Sequence, residues 1–152
     1  MTATLTVLPH AIPENREPNT SSGSYVAIVD DEESVCRAFA RLLRAYSFDA
    51  QGYLSGQEFL ESLSNRIPAC LIVDMHLGDM NGFDVLRRIA SMGMNIPAIV
   101  VTARNEPGVR REFELSSATA LLSKPVRGQS LLDAIDIAMA TLARRGAEDR
   151  RL

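Results

Sequence analysis

Long apolar runs are what this 152-residue chain lacks first. Its apolar stretches fall well short of the roughly 18 to 20 residues a bilayer span requires, and no basic segment followed by an apolar core opens it. A membrane is therefore not expected as a partner, and a cytoplasmic location is. An excess of one charge is missing too. With 16 Lys and Arg against 19 Asp and Glu, a net charge of -3 exerts no strong pull toward nucleic acid or anionic lipid, so direct nucleic-acid binding is not expected either. Cysteine is scarce. Cys36 falls in a helical pattern and Cys70 in a strand pattern, outside any C-x-x-C or metal-spaced cluster, which predicts buried free thiols. The length leaves room for one domain of about 100 to 150 residues.

What is present divides into three parts. Residues 1–24 carry Pro9, Pro13 and Pro18 and end in Asn19-Thr-Ser-Ser-Gly-Ser24, a composition that cannot supply a core. A disordered arm is expected there, either a tolerated extension or a docking segment built on Leu5, Val7, Leu8 and Ile12. Residues 25–143 alternate strand-like runs with helical patterns, the signature of repeated βαβ units around a parallel sheet. Residues 144–152 form a short charged tail, expected to be solvated.

Within the domain the helices announce themselves by periodicity. Val35, Phe39, Leu42, Leu43 and Tyr46 share one face of a roughly 3.6-residue period, with Arg37, Arg41 and Arg44 on the wet side. Ser55-Gly-Gln-Glu58 reads as a capping box opening a helix that buries Phe59 and Leu63. Asn81-Gly-Phe-Asp84 opens another, with Leu86, Ile89 and Ala90 inward and Gly93 as its stop. Pro107-Gly108 falls in the first turn of a weaker helix anchored by Val109 and Phe113, and the last runs from about Gln129 to Arg144 with Leu131, Leu132, Ile135, Ala138, Met139 and Leu142 inward. Five strands and five helices result.

Four of the strand-like runs end in polar groups. Asp30-Asp31 follows Tyr25-Val-Ala-Ile-Val29, Asp74 closes Cys70-Leu-Ile-Val73, Thr102 closes Ala98-Ile-Val-Val101, and Lys124-Pro125 follows Ala120-Leu-Leu-Ser123. Open parallel sheets bind ligands outside the carboxyl ends of their strands, so these groups converge if the runs lie side by side. Three carboxylates that close repel one another unless neutralised, and a hard divalent cation such as Mg²⁺ suits them better than zinc, given no His or Cys ligand set. Lys124 adds a point charge and Thr102 a donor. A carboxylate nucleophile, a metal clamp, a cation and a hydroxyl are the parts phosphoryl transfer needs, with aspartyl phosphate as product.

Ile28-Val-Asp-Asp-Glu-Glu-Ser-Val, Leu71-Ile-Val-Asp-Met-His-Leu-Gly-Asp-Met-Asn-Gly-Phe, Ile96-Pro-Ala-Ile-Val-Val-Thr-Ala and Ser123-Lys-Pro together resemble the blocks of the receiver domain of two-component response regulators, over about residues 24–143. The resemblance implies an α/β, flavodoxin-like three-layer sandwich with a five-stranded parallel sheet of order 2-1-3-4-5. It implies that Asp74 accepts phosphate from a sensor histidine kinase or a histidine phosphotransfer domain. Asp31 and Asp74 would ligate Mg²⁺ directly, Asp30 through water, and the His76 backbone carbonyl would add a further ligand. Lys124 would hold the phosphoryl group and Thr102 would swing its hydroxyl onto it. The change would reach a downstream protein through the face of helix 4, strand 5 and helix 5. Pro125 resembles the family's proline after the lysine, whose peptide bond is usually cis. By this reading the chain is a signalling protein and not an enzyme in its own right.

Some positions depart from the family's pattern. Leu121 stands where Tyr or Phe usually rotates with the threonine, Ser116-Ser-Ala118 replaces a small-Gly-small run, and Gly78 replaces a proline. His76 and Arg104, two residues beyond Asp74 and Thr102, lie where the family modulates water access to the phosphoryl group. Val35 to Leu60 most resembles receivers of the nitrogen-fixation-regulator type, normally joined to a helix-turn-helix domain; a stand-alone, single-domain receiver is expected here, with a piece of a longer protein as the alternative. Two alternatives accompany this reading: a degenerate receiver acting independently of phosphorylation, and an aspartate-nucleophile phosphatase. The latter carries an acid where this chain has His76.

Overall fold

The computed structural model describes residues 24–103 and 105–151, with side chains through Arg144. The arm before Ser24, Arg104 and Leu152 lie outside the described residues. The strands are β1 (Val26–Val29), β2 (Ala50–Tyr53), β3 (Cys70–Asp74), β4 (Ala98–Thr102) and β5 (Ala120–Ser123). Between and after them run α1 (Glu33–Ala45), α2 (Gly56–Ser62), α3 (Gly82–Ser91), α4 (Val109–Leu115) and α5 (Gly128–Arg151). All strand pairs are parallel and their order is β2-β1-β3-β4-β5.

Successive strand residues face opposite sides of a sheet, so each strand feeds two cores. Ala27, Val29, Leu71, Val73 and Val100 pack with Phe59, Phe83, Leu86, Ile89 and Val109, which places α2, α3 and α4 on one side. Val26, Ile28, Ile72, Ile99 and Val101 pack with Cys36, Ala40, Leu43, Leu131 and Ile135, which places α1 and α5 on the other. The central strands β1, β3 and β4 are buried along their whole length. That is why they read as unbroken apolar runs rather than as alternation. Both thiols, Cys36 and Cys70, are free and buried as expected.

Local chemistry sets the helix starts. Asn81 Oδ1 accepts from the Asp84 N–H at 2.8 Å while Asp84 Oδ2 accepts from the Asn81 N–H at 3.1 Å, a complete capping box. At α2 Ser55 Oγ accepts from the Glu58 N–H at 3.0 Å, and the first two helical N–H groups go to a distant carboxylate: Gly56 and Gln57 donate to Asp79 at 3.2 and 3.0 Å. These are the donors a helix cannot satisfy internally.

Several sequence readings shift by a fraction of a turn. In α1 the buried stripe is Cys36, Ala40 and Leu43, with Val35, Phe39 and Leu42 only partly covered, because the sheet lies slightly to one side of the apolar face. Ala90 is exposed, and Phe83 and Val85 are buried in α3 instead. Pro107 and Gly108 precede α4 rather than entering its first turn, since Gly108 caps it with φ +81°. The last helix continues to Arg151 through the residues read as a tail, and Leu142 is exposed while Ala134 is buried. Leu142 joins Ser24, Ile67, Pro68, Met94 and Pro97 around a cleft. Ser24 precedes β1 and Pro97 precedes β4, so this cleft lies at the strands' entry edge.

Candidate functional site

The four polar exits meet at one end of the sheet. Parallel register brings Val29 level with Val73, Asp74 level with Val101, and Thr102 level with Ser123. Asp30 and Lys124 are then the first residues beyond β1 and β5. Backbone bonds fix the exits: Met75 N–H donates to Val101 O at 2.7 Å, and Lys124 N–H to Thr102 O at 2.8 Å. The Lys124-Pro125 peptide is cis, as expected. Beyond Asp30 the chain turns into α1, with the Glu32 N–H donating to Asp30 Oδ1 at 2.9 Å.

Lys124 Nζ lies 3.1 Å from Asp74 Oδ1 and 3.7 Å from Asp30 Oδ2. Asp30 and Asp74 are buried, and Asp31 is exposed. Burial pushes the Asp30 carboxyl above its usual range; the Glu32 N–H opposes the rise and the charge of Asp74 adds to it. Asp74 is raised by burial as well, against the pull of the Lys124 hydrogen bond and charge. Burial works against the Lys124 ammonium, but the hydrogen bond and charge of Asp74 outweigh it and raise its pKa. Two buried carboxylates thus share one ammonium, a cluster left one positive charge short.

Carboxylate oxygens from Asp30, Asp31 and Asp74 all lie within 4.8 Å of one another. All donors are hard oxygens, and the unmet negative charge is what a small divalent cation supplies. The residues therefore fit Mg²⁺.

Thr102, buried at the exit of β4, donates from Oγ1 to Glu106 Oε2 at 2.9 Å. The other oxygen of Glu106 pairs with His76 Nε2. Burial acts to raise the Glu106 carboxyl, yet the His76 and Thr102 hydrogen bonds hold it below its usual range. Sequence reasoning passed over Glu106. A single acid in a loop before Pro107 carries no signal that separates it from ordinary solvated charge. Asp79 was passed over for the same reason, because its partners lie 22 and 23 residues back.

The remaining expected positions are mixed. His76 is exposed and also forms an isolated bridge with Asn81. Leu121 is half-buried and packs against the core cluster containing Val100 and Val109. Gly78 has φ +83°, a left-handed conformation that proline's locked φ forbids, so this loop follows a different path from one with proline there. Arg104 lies outside the described residues.

An open parallel α/β sheet of order 2-1-3-4-5 with an acidic, lysine-capped pocket at its switch point defines a flavodoxin-like receiver fold. The match extends to sequence: the model of the response regulator receiver domain fits residues 26–136, and the chain belongs to that family. Transcriptional regulatory protein TdiR of Thauera aromatica is 29% identical over 121 residues, covering 80% of this chain and 53% of that protein. Transcriptional regulatory protein FixJ of Rhizobium meliloti is 29% identical over 123 residues, 81% of this chain and 60% of its own. The crystal structure of a response regulator receiver protein from Burkholderia phymatum is 37% identical with a TM-score of 0.70, covering 77% of this chain and 95% of that one. The chain spans little more than half the length of the curated relatives named here. It is a receiver domain of two-component signalling. No helix among the described residues is long and apolar enough to cross a membrane.

Proposed function

We propose that Asp74 is the phosphoacceptor of this receiver, within a functional unit of residues 25–143, and that phosphorylation controls its binding to another protein or its use as a relay shuttle. The observation that carries this reading is the 3.1 Å contact between Lys124 Nζ and Asp74 Oδ1 beside the carboxylates of Asp30 and Asp31. A carboxylate oxygen of Asp74 attacks phosphorus; the P–N bond of a phosphohistidine on a kinase or phosphotransfer domain breaks, and its electron pair returns to the imidazole. Asp31, Asp74, the His76 carbonyl and, by way of water, Asp30 would hold Mg²⁺, which would supply neutralising charge to the carboxylates and the transferring oxygens. Lys124 moves with a phosphoryl oxygen in place of Oδ1, and the Thr102 hydroxyl turns to donate to it.

The face formed by α4, β5 and α5 is the proposed output surface; Leu115 of α4 and Ile137 of α5 are exposed large apolar residues. Packing of Leu121 against the core favours an output that does not depend on aromatic rotation. A role independent of phosphorylation leaves the assembled Asp30, Asp31, Asp74, Lys124 cluster without a purpose. A phosphatase role lacks its second acid, since His76 stands there and is engaged with Glu106. Cytoplasmic action without direct nucleic-acid contact completes the proposal for this domain; TdiR and FixJ are themselves named transcriptional regulators. Intact mass after incubation with acetyl phosphate and Mg²⁺ tests the core of it. Wild type gains one phosphoryl group and Asp74→Asn gains none; an unmodified wild type, or equal gain by the variant, sinks the assignment.

A further inference from the structure

The Thr102 hydroxyl carries one proton, and in this structure that proton is given away. It goes to Glu106 Oε2 at 2.9 Å. Glu106, in the β4–α4 loop, is itself held from its other side by His76, so the acceptor is anchored at one oxygen by the end of β4 and at the other by the β3–α3 loop. Its side chain is only 22% exposed, against 64% for His76, which leaves the Thr102 contact the more sheltered of the two.

Resting on the receiver reading above, we propose that Glu106 is a positioning residue: it clasps Thr102 in the orientation of the unphosphorylated state, and phosphorylation of Asp74 must compete this bond away. Hydrogen bonds to an ionised acceptor are the stronger class, so the competition is not trivial for a neutral hydroxyl. The phosphoryl group offers an anionic oxygen as the replacement acceptor. The exchange conserves the count of hydrogen bonds on Thr102 while freeing Glu106 Oε2, and His76 keeps its separate hold on Oε1. Glu106 thereby sets the bias of the switch without touching the reacting atoms.

The distinguishing prediction is dependence on Thr102. Removing Glu106 also removes a negative charge near an anionic ligand, and that effect persists whatever residue 102 is. The clasp does not. Beryllofluoride with Mg²⁺, a phosphoryl mimic, can be titrated into the full chain and followed by amide shifts in Glu106→Ala, Thr102→Val and the double variant. Glu106→Ala is expected to bind about three- to ten-fold more tightly than wild type, with most of the gain absent in the Thr102→Val background. An equal gain in both backgrounds, or none in either, overturns the clasp. Wild type failing to respond at all overturns the receiver reading and the clasp with it.

A ligand-free measurement keeps the two failures apart. Three-bond couplings report the χ1 rotamer of Thr102 directly. A single rotamer in wild type that becomes averaged in Glu106→Ala, and is largely retained in Glu106→Gln, supports the clasp. A Thr102 rotamer indifferent to residue 106 overturns it, even where phosphorylation of Asp74 proceeds normally.

Discussion

A Cβ atom on Gly82 would stand 2.8 Å from the backbone oxygen of Asp74 and 3.4 Å from the Met75 Cα. The first residue of α3 is therefore pressed against the residue that ends β3. The obstacle is backbone, which cannot step aside as a flexible side chain does. Gly82→Ala is expected to cost about 1 to 3 kcal/mol in urea denaturation, the range of an overpacked core. Phosphorylation by acetyl phosphate should slow as well, because relief of the clash moves Asp74 relative to Lys124. Unchanged stability and rate would mean that α3 shifts without disturbing the strand.

Lys124→Ala removes the ammonium that pairs with two buried carboxylates, Asp30 and Asp74. Metal-free protein should lose about 1 to 3 kcal/mol, and acetyl phosphate should label Asp74 at least about ten-fold more slowly, since a positioned donor on the transferring oxygens is gone. Mg²⁺ should restore part of the stability but little of the rate. Denaturation with and without chelator, beside labelling kinetics, checks both halves.

The pH dependence of the metal-free domain follows from the same shortage. Asp30 and Asp74 have carboxyl pKa values raised above the ordinary value near 3.8, so between that value and the raised ones the folded state binds more protons than the unfolded chain. Stability then falls as pH rises through that window, and the penalty is full above it. Chelated samples should melt higher on mild acidification from neutral pH, and excess Mg²⁺ should reverse the trend. Asp30→Asn, which retains an acceptor for the Glu32 N–H, should stabilise the metal-free domain at neutral pH by about 1 kcal/mol while weakening Mg²⁺ binding. A destabilised Asn variant would show that the burial cost of Asp30 is already met within the protein.

Asp79→Ala removes the acceptor for the first two N–H groups of α2 and should cost about 1 kcal/mol. Hydrogen exchange at the Gly56 and Gln57 amides should accelerate while Phe59, in the buried face of the same helix, changes less. Uniform acceleration along α2 would indicate that the cap carries the whole helix.

Much of this architecture could be read from residue order, and the reasons are local. Unbroken runs such as Leu71-Ile-Val73 need two covered faces, and only a central parallel strand offers them. Asp30, Asp74 and Thr102 were legible as a group because each ends such a run, and Lys124 joined them because it follows the apolar residues of the edge strand β5. Parallel register then places the ends of neighbouring runs side by side. Glu106 and Asp79 were not legible, since each acts across a loop whose path no periodicity encodes. Small errors at Ala90, Leu142 and Val35 have another cause. A helix pattern gives the direction of the apolar face, while the rotation of that face onto the sheet depends on neighbours such as Phe83 and Ala134.

The cleft shared by Ser24 and Leu142 lies at the strands' entry edge, a full strand length from Asp74, about 15 Å for five residues. The chain comes into the described fold there, and α5 passes the same edge on its way out. Sequence attached at Ser24, or following α5 beyond Leu142, starts from the pole opposite the chemistry. At that junction a change at Asp74 is felt through β3 and its neighbouring strands, which link the two ends of the sheet.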